Sequence, residues 1–228
     1  MFTRHVIPDG TTVLRSSLLD DRGLRHAFTT ADRDVRGPGD LFGVIEHDPP
    51  IRTARQVHGR ALSGPNHWCD EADALVSNDP DVAVAVRTAD CVAVLLASGD
   101  GSVVAAVHAG WRGLDPAVGV IAAAVSALPS PASCVAAAGP CISVTHYEVG
   151  EEVAARFRST YPAAVRDDLG PKPHLDLRAV AIAQLAAAGL PPASIDVYPG
   201  CTFAEPGLHS YRRHGPGVPH LAAVVAPA

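Results

Sequence analysis

The chain has 228 residues, a length that fits one domain over residues 1–228 and a core that needs neither disulfides nor a structural metal. Any metal site is therefore expected to serve function rather than folding. The formal net charge is −6, and the 18 basic residues, of which only Lys172 is a lysine, form no basic stripe, which argues against a nucleic-acid partner.

The first 50 residues are rich in turns and weakly periodic, and "DRDVRGPGDLFG" at 32–43 predicts a loop. From Asp73 onward, four runs rich in β-branched residues are separated by Asp, Pro and Gly. They predict four strands, written "DALVS", "VAVAVR", "CVAVLLA" and "SVVAAVHA". Several of these runs are apolar at consecutive positions, which indicates a sheet that is covered on both faces.

Three helices are predicted after these strands. Asp115 and Pro116 open the first, over 117–128, and acidic residues in the first turn favour a second over 150–161. Asp176 caps the third, over 177–188, which ends at a glycine. Strand-like segments at 134–139 and 195–201 alternate with the helices, so the pattern favours an α/β or α+β sandwich.

The cysteines and the apolar runs bear on location. Five cysteines without a C-x-x-C spacing make a disulfide framework unexpected and favour a reducing cytoplasm. The N-terminus lacks the apolar core of a signal peptide, and no apolar run approaches the ~20 residues of a membrane span. We therefore expect a soluble cytoplasmic protein with no membrane partner, either a monomer or a small homo-oligomer.

Three residues at predicted junctions of strand and loop form a candidate metal site. His58 in "RQVHG" follows a predicted strand, Cys91 in "TADC" opens one, and His108 in "HAGWRG" closes another. Neighbouring strands lie ~4.8 Å apart, so ends at one sheet edge can bring such side chains together. Two imidazoles and one thiolate suit zinc, with a fourth position left for water. Spacing alone leaves the alternative that each residue is an ordinary core or edge residue.

The motifs "RQVHG", "DALVSNDP", "VRTADC", "VVAAVHAGWRG", "GPCIS", "YEVGEEV", "HLDLR" and "SYRRHG" occur in order over residues 51–215. In this the chain resembles the YfiH family, also called the laccase-domain, multicopper polyphenol oxidase or peptidoglycan editing factor family, or the zinc-dependent purine nucleoside phosphorylases. The resemblance implies an α/β/β/α sandwich like that of the cytotoxic necrotizing factor deamidases. It also implies that His58, Cys91 and His108 bind the metal.

The activity that this resemblance implies is phosphorolysis of purine nucleosides, including methylthioadenosine, with adenosine deamination as a second activity. Cys91, His108 and Asp90 are then the candidate catalytic residues, Asp90 orienting a ligand or water if it is not simply a capping carboxylate. Arg112, Arg212 and Arg213 are candidates for binding phosphate or ribose, because a guanidinium forks onto phosphate oxygens. The alternative for each arginine is an ordinary surface position.

Two departures from the family pattern bear on substrate binding. The segment 31–43 replaces the usual "TRxGGVS" region, and "LHSYRRHGPGVPH" replaces "FFSYRR" followed by a "GR" pair. Copper oxidase chemistry is disfavoured, because the 11 histidines contain no His-x-His pair and Met1 is the single methionine that could act as a thioether ligand. Zinc is the expected metal, and copper is the weaker alternative.

Two other functions fit the same residues. In the first, Cys91 is a nucleophile and His108 its base, in an amide or ester hydrolase without a metal. In the second, the chain is a degenerate paralogue that binds a ligand or a protein partner without turnover, since its N-terminal pocket segment is replaced.

Overall fold

The computed structural model describes residues 1–47 and 49–228. Within that part of the chain, the strands in order are β1 (Phe2–Val6), β2 (Thr12–Ser16), β3 (Arg25–Thr29), β4 (Ile51–Arg52), β5 (Leu62–Ser63), β6 (Ala74–Ser77), β7 (Ala83–Thr88), β8 (Val92–Ala97), β9 (Val104–Ala109), β10 (Val135–Ala138), β11 (Val165–Arg166), β12 (His174–Leu175), β13 (Ile195–Val197) and β14 (Leu221–Ala226). The helices are α1 (Ser17–Asp20), α2 (Trp111–Leu114), α3 (Val120–Ser126), α4 (Glu151–Arg158), α5 (Leu177–Ala187) and α6 (Tyr211–His214).

Two six-stranded sheets stack face to face. The first sheet has the order β1-β2-β3-β14-β7-β4, and the second has the order β13-β10-β8-β9-β6-β5. Most neighbouring strands are antiparallel, whereas β4 runs parallel to β7, β5 to β6 and β13 to β10. A separate pair, β11 and β12, forms a two-stranded ribbon. This mixture of directions is typical of α+β folds rather than of a purely parallel α/β sheet.

Apolar side chains fill three layers. One layer lies between the two sheets and includes Phe28 and Leu95. A second joins the outer face of the second sheet to α3, α4 and α5, with Phe157 fully buried. A third covers the outer face of the first sheet, where Val35 and Leu41 from a mostly irregular segment pack on β14 and β7. Helices thus cover one outer face, and a loop with a 3-10 turn over Pro38–Leu41 covers much of the other.

The predicted α/β sandwich is confirmed, and so are its central strands. The four predicted strands are β6, β7, β8 and β9, and β8 and β9 are buried along their whole length, as continuous apolar runs require. The expectation that all four lie in one sheet is wrong, because β7 pairs with β14 and β4 in the first sheet. Both faces of β7 are nevertheless covered, which explains why its sequence resembles that of β8.

The predicted helices differ in how well their starts agree with the structure. Asp176 caps α5 as predicted, its carboxylate accepting the N–H of Ala179 at 2.9 Å. Asp115 instead closes a turn by accepting the N–H of Ala117, and α3 begins only at Val120. Gly119, with φ +70°, takes a left-handed conformation that interrupts the helical path before Val120.

The first 30 residues contain three strands that their weak periodicity did not predict. β1 is an edge strand whose residues are mostly exposed, so it shows no apolar alternation. β14 at the other end of the chain was not predicted either, and it completes the first sheet between β3 and β7. None of the described helices is both long and apolar enough to cross a membrane.

Candidate metal centre

The side chains of His58, Cys91 and His108 converge, although the three residues come from separate parts of the chain. One ligand atom from each lies within 4.8 Å of those of the other two, and among the described residues this is the one such group of His, Cys, Asp or Glu. The two imidazole rings meet edge to face, with their centroids 4.7 Å apart. The structure therefore brings together all three residues that the sequence motifs single out.

Strand register places Cys91 beside His108. β8 and β9 are antiparallel, with Val92 opposite Ala109 and Ala93 opposite His108. Cys91 directly precedes β8, and His108 lies near the end of β9. Because the two strands are antiparallel, both residues lie at the same end of this strand pair. His108 is buried, with 4% of its surface exposed, whereas Cys91 and His58 are each partly exposed.

The His58 side chain is delivered by a loop rather than by a strand end. The regular part of the predicted strand before it is short, because β4 ends at Arg52. The amide of Gln56 holds the loop by donating to the carbonyl of Arg87 at 2.7 Å and accepting its N–H at 2.8 Å. His58 has φ +59°, a left-handed conformation that is uncommon for a residue with a side chain.

Asp73 contacts both histidines of the cluster, a role that no motif in the sequence predicted. It lies directly before β6 and is fully buried. Its carboxylate accepts Nδ1–H of His108 at 2.7 Å and the backbone N–H of His58 at 2.9 Å. Burial alone would raise the pKa of Asp73, but the hydrogen bond from His108 and the backbone N–H groups of the His58 loop lower it.

Gly110 closes the site on the side of the thiol. A Cβ atom at this position would lie 2.8 Å from Sγ of Cys91 and 3.0 Å from Cδ2 of His58. Both distances are shorter than the ordinary contact between non-bonded atoms. The glycine is therefore required here because the backbone approaches two of the three candidate ligands directly.

Cys91 and His108 change each other's protonation. Burial would raise the pKa of the Cys91 thiol, but the charge of His108 and hydrogen bonds from both imidazoles outweigh it and lower the pKa to about 6. Burial would lower the pKa of His108, but the charge of Cys91 and the hydrogen bond to Asp73 raise it to about 9. Without a metal, the pair is therefore a thiolate and an imidazolium at neutral pH.

This pairing predicts how the metal-free protein reacts with iodoacetamide. The alkylation rate of Cys91 should rise through about pH 6 and be level by about pH 8, because the thiolate is the nucleophile and forms above its pKa. Cys141, whose pKa burial raises to about 11, should stay unmodified in the folded protein. Peptide-resolved mass spectrometry measures both rates. A rate for Cys91 that climbs only near pH 8.5, as for a free thiol, would contradict the pairing.

Asp90, a predicted catalytic residue, directly precedes Cys91 in the sequence, and both of its carboxylate oxygens accept hydrogen bonds from within the protein. Its Oδ1 accepts the hydroxyl of Thr202 at 2.5 Å, and its Oδ2 accepts the backbone N–H of Arg212 at 2.7 Å. The residue has φ +97°, again a left-handed conformation. These bonds connect the turn before Cys91 to the start of α6, so Asp90 organises the backbone on this side of the site.

Arg112 and Arg212, two of the predicted phosphate-binding residues, have exposed side chains. The Arg112 guanidinium stacks over the ring of Trp111 at 4.4 Å, and that of Arg212 lies 5.3 Å from the ring of Tyr147. Arg212 also donates to the carbonyl of Glu148 at 2.9 Å. Burial, followed by the charge of Cys91, raises the pKa of Tyr147, while the positive charges of both arginines lower it. The charges of Cys91, Arg112 and Arg212 therefore all act on the Tyr147 hydroxyl.

Arg213 is the third predicted phosphate-binding residue, and most of the hydrogen bonds of its guanidinium go to backbone carbonyl groups of the protein itself. It donates to the carbonyl groups of Thr202, Phe203, Glu205 and Leu208. Its Nε also contacts the ring of His214 at 3.1 Å. Arg213 therefore anchors the loop before α6, and few of its donors remain for a ligand.

The two segments that depart from the family pattern pack against each other. Val35 and His220 form an antiparallel bridge, with N–H to carbonyl distances of 3.3 and 3.0 Å. The Arg36 guanidinium donates to the carbonyl of Gly217 at 3.2 Å. A recess of about 300 Å³ opens between the segments, lined by Arg36, Tyr211, Gly217, Val218 and His220. The shortened segment 31–43 thus remains next to α6, which Asp90 ties to the metal centre.

A larger cavity of about 720 Å³ lies elsewhere, on the side of the first sheet that faces the 42–47 segment. Its walls include Val6, Ile7, Val13, Val44 and Ile45, and none of the three clustered residues lines it. Its size alone does not make it the functional site, since the convergent polar groups lie at the other position.

Comparisons with known proteins find a family model and several proteins that are similar to this chain. The model of a protein family described as multi-copper polyphenol oxidoreductase laccase matches residues 41–226. A purine nucleoside phosphorylase of Mycobacterium tuberculosis is 38% identical over 169 residues, covering 71% of this chain and 66% of that protein. The match spans just under two thirds of that relative's length.

Two further proteins are similar to this chain, one in sequence over part of its length and one in fold over nearly all of it. Adenosine deaminase RL5, from an unknown prokaryotic organism, is 39% identical over 153 residues, covering 63% of this chain and 57% of that protein. The crystal structure of the hypothetical protein YfiH from Bacillus licheniformis has the same fold, with a TM-score of 0.80 and 99% of each chain covered at 21% identity.

Proposed function

The chain belongs to the multi-copper polyphenol oxidoreductase laccase family, the YfiH family of its sequence motifs, and we propose that it is a zinc-dependent purine nucleoside phosphorylase. The convergence of His58, Cys91 and His108 within one ligand sphere is the observation that carries this proposal. The phosphorylase relatives support the substrates, a purine nucleoside and phosphate. The deaminase relative supports adenosine deamination as a second activity of the same site.

Zinc fits the three side chains better than copper does. Two imidazole nitrogens and one thiolate are common zinc ligands, and three protein ligands are typical of catalytic rather than structural zinc. A thiolate that already forms below neutral pH needs little further deprotonation to bind a cation. The single methionine, Met1, is 81% exposed and lies at the edge strand, so it offers no axial thioether for a copper site.

His58, Cys91 and His108 would hold the zinc, which would supply a Lewis acid at this site when bound. The chain's own residues would do the rest. Arg112 and Arg212 would bind and orient phosphate through their exposed guanidinium groups, and Arg213, already engaged, is the weakest of the three candidates. Tyr147 is protonated at neutral pH, as an ordinary tyrosine is, and burial raises its pKa further, so its hydroxyl would serve as a hydrogen-bond donor to a bound nucleoside.

Asp90 would act by position in this scheme. Both of its carboxylate oxygens accept hydrogen bonds inside the protein, from Thr202 and from the backbone of Arg212. We therefore propose that Asp90 fixes the backbone of Arg212 relative to Cys91. The proton shuttle of the deamination reaction would then fall to another group or to solvent.

The activity is tested with zinc-loaded protein, adenosine and inorganic phosphate, separated by chromatography. Phosphorolysis predicts adenine and ribose 1-phosphate in equal amounts, and deamination predicts inosine without dependence on phosphate. The metal content is measured on the same sample. If adenine, inosine and hypoxanthine are all absent at one zinc per chain, both proposed activities on adenosine are ruled out, and a binding role for a degenerate paralogue is favoured.

The thiolate and imidazolium pair supports one other candidate function, an amide or ester hydrolase with Cys91 as nucleophile and His108 as its base. The two functions respond differently to inhibitors. Inactivation by a chelator, reversed by zinc, supports the phosphorylase. Inactivation by iodoacetamide that proceeds equally in the presence of a chelator, with full activity of the metal-free protein, supports the hydrolase.

We also propose a cytoplasmic location. All five cysteines are free thiols, and at least Cys91 needs to stay reduced for either activity.

A further inference from the structure

The residue that holds the metal centre together is a carboxylate outside the ligand set. Asp73 is fully buried, and four donors converge on its two oxygens. Oδ1 accepts Nδ1–H of His108 and the N–H of His58, at 2.7 and 2.9 Å. Oδ2 accepts the N–H groups of Gly59 and Val57, at 2.7 and 3.2 Å. A buried carboxylate so fully satisfied is rigid, because any rotation would break several charge-assisted hydrogen bonds at once.

The first effect of this carboxylate is on the His108 ring. With Nδ1 donating to Asp73, only Nε2 of His108 remains to face Cys91 and His58. The backbone reinforces this orientation, since the N–H of His108 donates to the carbonyl of Asp73 at 2.7 Å. A histidine that binds a metal commonly donates its second ring nitrogen to a carboxylate, which fixes both the tautomer and the plane of the ring.

The second effect is on the backbone of His58. Three consecutive N–H groups, from Val57 to Gly59, point at the one carboxylate. Successive N–H groups can converge in this way in a turn that includes a left-handed residue, and His58 has such a conformation, with φ +59°. A left-handed conformation is unfavourable for a non-glycine residue unless its surroundings stabilise it. The carboxylate supplies that stabilisation and so turns the His58 side chain toward the cluster.

We infer that Asp73 is the positioning residue that assembles the metal centre, holding one histidine by its ring and the other by its backbone. This inference rests on the metal binding in the proposed function, but not on the identity of the substrate. Asparagine has the same shape, yet it replaces one oxygen by an NH2 group. In either orientation, that NH2 group faces two N–H donors and cannot accept from them. Asp73→Asn must therefore lose either the hydrogen bonds from the His108 ring and the His58 N–H, or those from the N–H groups of Val57 and Gly59.

The expected result is that Asp73→Asn binds zinc ~10- to 100-fold more weakly than the wild type, the usual cost of losing such a partner of a metal ligand. Zinc affinity is measured by competition with a chromophoric chelator. In the cobalt-loaded protein, the thiolate-to-metal absorption band should shift or weaken. The matched control is Asp196→Asn, since Asp196 is also a buried carboxylate, but it contacts Ser16 and the N-terminal amine instead. That variant should bind zinc as the wild type does.

A measurement on the wild type covers the case in which Asp73→Asn does not fold. Nitrogen-15 spectra should show a downfield, slowly exchanging proton on Nδ1 of His108, both with and without zinc. Its absence would overturn the inference, and so would wild-type zinc affinity in a folded Asp73→Asn variant. A wild type that shows this proton but binds no zinc would instead refute the metal dependence in the proposed function and leave the contact between Asp73 and His108 established.

Discussion

Replacing Cys91 with alanine is expected to abolish stoichiometric zinc binding and, with it, the turnover of purine nucleosides. Cys91 is the single sulfur donor of the cluster, and its lowered pKa makes it the charged ligand that offsets the charge of the ion. The loss in zinc affinity should exceed ~100-fold, the upper end of what is expected when a residue that only hydrogen-bonds to a metal ligand is replaced. Elemental analysis after dialysis and the chromatographic assay with adenosine and phosphate measure the two effects.

The control for this experiment is Cys134→Ala. Cys134 is a fully buried thiol that contacts the carbonyl groups of Pro129 and Ser130, on the helix side of the second sheet. Its replacement removes a sulfur atom of the same size but leaves the cluster intact, so zinc content and activity should not change. One zinc per chain in Cys91→Ala would show that the ion binds elsewhere, and the proposed centre would then be wrong.

Parts of the fold could be predicted because their residues carry strong local signals. β8 and β9 are continuous apolar runs, and α5 has both its N-cap, Asp176, and its terminating glycine in the sequence. β1 could not be predicted in the same way, because it is an edge strand with little buried surface. β14 is a short apolar run, LAAVVA, that is buried along its whole length like β8 and β9, so its sequence does carry a local signal. Its place between β3 and β7 depends on pairing with strands that are distant in sequence, and no local pattern shows such pairing.

The proposed metal centre shows a similar division. His58, Cys91 and His108 could be predicted as candidates because each lies at the edge of a predicted strand, in a motif that resembles those of the family. Asp73 was missed as a site residue, because an aspartate at the start of a strand usually marks a turn. Its role depends on β6 lying next to β9 in the sheet, which brings Asp73 to His108 across 35 positions. The outer contacts of a site are thus set by strand order, which motifs do not contain.

Gly110→Ala is expected to lower zinc affinity by ~10- to 100-fold while the protein stays folded, a loss comparable to that of an outer-shell partner. The added Cβ would lie 2.8 Å from Sγ of Cys91, and an ordinary contact begins near 3.4 Å, so the sulfur must move by about 0.6 Å. A metal site tolerates deviations of only ~0.2 Å in its ligand distances. His58 cannot move aside freely, since the same Cβ meets its ring at 3.0 Å and Asp73 holds its backbone.

The comparison that isolates this effect is Gly207→Ala. Gly207 has no atom within 4 Å of an added Cβ and no left-handed backbone, so the same methyl group should leave zinc affinity unchanged. Titration with zinc against a competing chelator, together with thermal unfolding of both metal-free variants, separates loss of the site from loss of the fold. If Gly110→Ala binds zinc as tightly as Gly207→Ala does, the thiol and the His58 ring are not constrained by the backbone of Gly110. The close packing that this geometry assigns to the centre would then be refuted, even if all three side chains remain ligands.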